Sequence, residues 1–173
     1  MATFTYIDKI ELSAGASSIQ FTSIPQTYQH LYLISAGRSN VGGQGDGWLM
    51  TINGSTSVTS GNRFGAYYDP ASATLTGDGG GNIYLTSGNA WTAETYGSAW
   101  FLIPNYTTTQ TKTIVGRTMW GGPNPTSGRG FLVFASGAQP ANTAAITSLG
   151  FSNPDSGGTQ MMTGSTFYLY GLS

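Results

Sequence analysis

Hydrophobic and polar residues alternate along much of this chain with a period of two. Ser18-Ile19-Gln20-Phe21-Thr22 is the clearest case, and such alternation predicts a strand with one buried face. Thr3-Phe4-Thr5-Tyr6-Ile7, leading into Lys9-Ile10-Glu11-Leu12, reads the same way. Leu31-Tyr32-Leu33-Ile34 is apolar throughout, as expected of a strand covered on both sides. Trp48-Leu49-Met50-Thr51-Ile52 runs into Asn53-Gly54, a favoured two-residue hairpin turn because both residues tolerate positive φ. Further strands are predicted over 82–86, 98–103, 112–119, 130–134, 145–151 and 166–170.

Gly, Pro and Asn clusters separate these segments, and Gly, Ser and Thr interrupt every window in which a helix would need a run of good formers. Many short strands at near-regular spacing predict an all-β chain, an antiparallel β-sandwich in a single domain over 1–173. Residues 1–10 are expected to be an N-terminal arm or a first strand, pairing with a sheet edge of the same subunit or of a neighbour. The segment 55–81 is expected to be long loops with one poor strand. No repeat of fixed period points to a propeller or solenoid.

Composition sharpens this picture. Aromatics make up 13% of the 173 residues but charged residues only 8%, against about a quarter in an average soluble domain. The surface is therefore expected to be polar through Ser, Thr, Asn, Gln and Gly. Plentiful aromatics and a net charge of −1 exclude the disordered class. The six basic residues are scattered, which argues against a nucleic-acid partner. There is no cysteine, hence no disulfide and no thiolate ligand. No apolar stretch approaches a membrane span, and the N-terminal residues lack the pattern of a secretory signal.

Candidate chemistry is sparse. The one histidine, His30, precedes an apolar strand and reads as a strand-edge residue rather than a catalytic base. The seven acids sit mainly among turn residues, where Asp most often bonds its own backbone. No catalytic residue, cofactor or metal site is expected. Asp78-Gly79-Gly80-Gly81-Asn82 resembles a calcium-binding turn only faintly, having one carboxylate. Trp48 and Trp100 open apolar strands and are assigned to the core. Trp91 and Trp120 are flanked by loop-type residues. With Gly121, Gly122, Pro123, Asn124 and Pro125 they form the predicted partner-contact surface.

Five stretches, taken in order, resemble a family. They are Ile19-Gln20-Phe21-Thr22-Ser23-Ile24-Pro25-Gln26-Thr27-Tyr28-Gln29-His30-Leu31, Ile52-Asn53-Gly54, Ile103-Pro104-Asn105-Tyr106, Ala144-Ala145-Ile146-Thr147-Ser148-Leu149 and Gly164-Ser165-Thr166-Phe167-Tyr168-Leu169-Tyr170-Gly171-Leu172. Each is mostly strand and turn chemistry. The ordered set is similar to a group of tailed-phage virion structural proteins, although in that group a Tyr often follows the Asn-Gly turn closely and here Tyr67 and Tyr68 come later.

The resemblance implies a jelly-roll-like sandwich and a virion location, with no catalytic residues to transfer. On that basis the expected function is capsid decoration. The protein would be made in the host cytoplasm and bind the outer capsid surface as a homotrimer, cementing neighbouring major capsid protein subunits without nucleic acid or membrane. The alternative is a tail-fibre or receptor-binding module recognising host glycans. A cellular carbohydrate-binding or hydrolytic sandwich would need a secretion signal and clustered acids, and neither is seen.

Overall fold

The computed structural model describes residues 3–42, 45–55, 58–59, 61–69, 72–80, 82–89, 95–121, 130–140, 143–153, 158 and 160–173, with side chains outside 45, 56–85, 87 and 120–142. The described residues form strands and connections and no helix. In chain order the strands are β1 (Phe4–Glu11), β2 (Ser18–Phe21), β3 (His30–Gly37), β4 (Gly45–Ile52), β5 (Val58–Thr59), β6 (Gly61–Asp69), β7 (Ser72–Gly80), β8 (Asn82–Ser87), β9 (Gly97–Pro104), β10 (Ile114–Gly121), β11 (Gly130–Pro140), β12 (Leu149–Ser152) and β13 (Thr166–Leu172).

They pair into two antiparallel sheets that pack together as a sandwich. The larger runs β1-β13-β3-β9-β10-β11-β6-β7, with β5 beside β11, and the smaller runs β2-β12-β4-β8. Set aside β5–β7 and β10–β11 and number the remaining eight strands along the chain. The two sheets then read 1-8-3-6 and 2-7-4-5, the strand order of a jelly roll built from two Greek keys. β5–β7 is an insertion between the fourth and fifth of these strands, and β10–β11 between the sixth and seventh. The two insertions meet where β11 pairs with β6, so both widen the same sheet.

That meeting corrects the expectation of loops over 55–81. The segment holds β5, β6 and β7. Gly and Thr weaken its local strand signal, and the partner that organises it, β11, lies about seventy residues away in sequence, beyond any local window. Residues 1–10 resolve more simply: from Phe4 they are a first strand, paired with β13 of the same chain.

The core lies between the sheets. β2 buries Ile19 and Phe21 and exposes Ser18 and Gln20. From the larger sheet come Leu31, Leu33, Phe101, Ile103, Phe167 and Leu169, and from the smaller Trp48, Met50, Ile52, Leu149 and Phe151. Each such side chain contributes about 1.5–3 kcal/mol by leaving water. Trp48 also donates its indole N–H to Thr86 Oγ1 at 3.3 Å.

One end of the sandwich is an interlocked set of turns. Asn53 and Gly54 both have positive φ, 52° and 75°, making the two-residue turn that the sequence predicts. Asn53 Oδ1 accepts from the backbone N–H of Thr147 (2.8 Å) and Ser148 (3.1 Å) and from Thr147 Oγ1, while its Nδ2 donates to the Ala145 carbonyl at 2.8 Å. These bonds hold 145–148 out of the ladder, so the strand predicted from 145 begins only at Leu149.

Tyr106, fully buried, donates its hydroxyl to the Pro25 carbonyl. Its own carbonyl accepts from Ile146 N–H at 2.9 Å. Lys112, also fully buried, donates its ammonium to the carbonyls of Thr108, Gln110 (2.6 Å) and Thr143 (3.0 Å). Burial pushes its pKa down. The inward turn of Lys112 is why β10 starts at Ile114 rather than at 112.

Candidate protein-docking face

An antiparallel sheet packed on one side normally alternates apolar-in and polar-out. The smaller sheet largely obeys this: its outward positions include Ser18, Gln20, Thr51 and Ser152, with the half-buried Leu49 as an apolar exception beside Ser152. The larger sheet does not. Outward from β13, β3, β9 and β10 come Tyr168, Tyr170 and Leu172; Tyr32 and Ile34; Trp100 and Leu102; and Val115 and Met119. β1 adds Phe4 and Tyr6, which are 56% and 57% exposed.

Strand register gathers these side chains into rows. One row crosses the sheet as Tyr6, Tyr170, Tyr32, Leu102 and Val115. The next crosses as Lys9, Tyr168, Ile34, Trp100 and Arg117. Rings from strands across the sheet approach one another. Phe4 meets Tyr32 edge-on with centroids 5.3 Å apart, and Tyr170 likewise at 6.4 Å. Tyr6 meets Tyr170 at 6.1 Å, and Tyr32 lies tilted beside Trp100 at 6.0 Å. Packing among these rings buries Tyr32 enough to push its phenol pKa up.

Charge on the face is sparse. Lys9 pairs with Glu11 and sits 5.5 Å above the Tyr168 ring. Hydrogen bonding to Glu11 outweighs desolvation and raises the Lys9 pKa. On β10, Arg117 lies between Trp100 and Met119, and with Ser98 these three line a shallow open depression on the face. Aromatic residues, Met and Arg with few Lys, Glu or Asp are the composition of the desolvated centre of protein interfaces.

The free edge of β1 is guarded differently. Asp8, Lys9 and Glu11 lie along it, and the register slips between Tyr6 and Asp8 in a bulge. Charges and bulges on an edge strand oppose strand addition.

Little of the expected contact surface falls within the described residues. Trp91, Gly122, Pro123, Asn124 and Pro125 lie outside the described residues. Trp120 and Gly121 are not in a loop but at the end of β10, paired with Phe131 and Gly130. Their glycine-rich flank hid the continuing ladder. Trp100 is not in the core. It projects outward, half-buried, because Ala99, Phe101 and Ile103 take the inward positions of β9. The run 99–103 is apolar on both faces, so period alone could not orient it; the register with Ile34 and Arg117 does.

His30 opens β3, and its Nδ1 accepts from Asn105 N–H at 3.1 Å, a turn-holding bond. Of the calcium-like turn, residues 78–80 are paired strand in β7 and Gly81 lies outside the described residues. No group of three or more His, Asp or Glu among the described residues is placed to hold a metal ion. No family model matches the chain, and neither does any curated protein or solved structure.

Proposed function

We propose that this chain is a non-catalytic structural protein that attaches to the outside of a bacteriophage capsid, as a decoration or cement protein. The observation that carries the reading is the contrast between the two outer faces, one polar and one a charge-poor aromatic surface built across five strands. Such a surface stays soluble and specific only when another macromolecule covers it. The jelly-roll order supports the reading as an analogy of fold, since viral capsid domains use it, although lectins and other proteins do too. Many copies on one lattice would hold firmly through modest individual contacts.

Ring geometry favours a protein partner over the alternative, a tail-fibre module on host glycans. An extended sugar chain stacks on ring faces lying in one plane; Tyr32 and Trp100 come within 30° of that, but Phe4–Tyr32, Phe4–Tyr170 and Tyr6–Tyr170 turn 81°, 77° and 74° from each other. Rings set edge-to-face give an uneven surface suited to side-chain interdigitation.

Cryo-electron microscopy of the particle whose genome encodes the chain tests the reading. Density of this domain repeated over the head lattice supports decoration. Density confined to the tail moves the function to host recognition, and absence from the particle removes both.

A further inference from the structure

We propose that the occupant of the aromatic face of the larger sheet is a second copy of this chain, so that the protein self-associates through that face. The inference rests on reading the face as a protein-docking surface, names its partner, and leaves capsid contact to the other surfaces of the resulting assembly.

Three observations select a like partner. The first is charge. A foreign partner is usually chosen by complementary potential, and this face has little to complement: Lys9 and Glu11 neutralise each other, and Arg117 is the one other formal charge on its described rows. What covers it must be similarly poor in charge. A chain with 8% charged residues and a net charge of −1 meets that condition with little self-repulsion.

The second is area. Strands about 4.8 Å apart and same-face residues about 6.8 Å apart give the five strands with described side chains a footprint of roughly 400 Å². The backbone of the larger sheet continues beyond them through β11, β6 and β7. The described strands alone supply about half of the ~800 Å² per partner of a standard stable interface.

The third is the mode of contact. The bulge and the three charges on β1 disfavour joining copies edge to edge at that strand. Two such faces can instead pack as sheets do in a sandwich, about 10 Å apart with side chains interleaved.

The test uses the full chain alone, without particles. Sedimentation equilibrium compares the wild type with Ile34→Lys/Met119→Lys, two residues that are 40% and 52% exposed and so cost the fold little. Circular dichroism and thermal unfolding check that the variant stays folded. A wild-type oligomer that the double variant weakens at least about tenfold is the expected result. A wild-type monomer overturns the inference, and so does an oligomer that the folded variant leaves unchanged. Particle binding is measured separately on the same pair. A monomeric wild type whose particle binding is lost in the variant leaves the docking face standing and makes its occupant the capsid. A variant that changes neither property removes the docking face itself.

Discussion

The ring of Tyr28 lies flat against the bare backbone of Gly171. A Cβ built on that glycine would meet Tyr28 Cδ2 and Cγ at 2.2 Å, far inside van der Waals contact. Gly171 occupies an inward position of β13, where a side chain would normally fill the core, and Tyr28 supplies that volume from the β2–β3 connection. Gly171→Ala must push the ring out, at a cost of about 1–3 kcal/mol. Urea unfolding measures it. A variant as stable as the parent would mean that Tyr28 moves aside freely and does not close the core.

Asn53 separates backbone conformation from hydrogen bonding. Ala at its φ of 52° adds strain of about 1 kcal/mol or more, and either Ala or Gly loses the bonds to 145–148 at about 1 kcal/mol each. The expected order of stability is wild type, then Asn53→Gly, then Asn53→Ala, with the last about 4 kcal/mol down. Equal losses in the two variants would leave conformation no part in the turn.

Lys112 is a buried charge satisfied by three carbonyls. Lys112→Met keeps the length of the side chain but leaves those carbonyls without their donor, a loss of about 2–4 kcal/mol. Chemical denaturation checks it. Unchanged stability would show that water or the loops meet those carbonyls without the ammonium.

Alkaline pH acts on buried groups with opposite signs. Burial raises the Tyr106 and Tyr32 pKa above 10.0, so the unfolded chain releases these protons first. Their contribution is whole below pH 10 and is lost as pH climbs through the folded values. Lys112 is lowered from 10.5, so just below that pH the unfolded chain holds the extra proton and stability rises with pH. Tyr106→Phe should cost about 1 kcal/mol near neutrality through the lost bond to Pro25. Above pH 10 it should also lose stability less steeply than the parent. Unfolding curves at about pH 7 and about pH 11 give the comparison. Equal steepness would remove Tyr106 as a source of the alkaline loss.

The sandwich was legible in the sequence because burial and period coincide there. Ser18-Ile19-Gln20-Phe21 alternates in sequence and in the structure alike, and Asn53-Gly54 announces its turn. The jelly-roll order depends on which strands meet, which no local pattern carries. The docking face was hidden for a related reason. Tyr32, Ile34, Trp100 and Leu102 alternate with Leu31, Leu33, Phe101 and Ile103; both sets are apolar, and the alternation says only that they face apart.

The five ordered stretches singled out in the sequence turn out to be architectural. Tyr28 with Gly171, Asn53 with Thr147, Tyr106 with Pro25 and His30 with Asn105 hold turns and strand ends together. They account for how the chain folds and leave its partner to the outer face.

The most direct test of that face is oxidative footprinting of the native assembled protein, read at two methionines. Met119 lies on the aromatic face, 52% exposed in the single chain, and Met162 lies in the β12–β13 connection, 36% exposed. Met119 protected while Met162 is oxidised is the predicted result. Met119 oxidised as readily as Met162 would contradict the account, because the face would then be open to water in the assembled state.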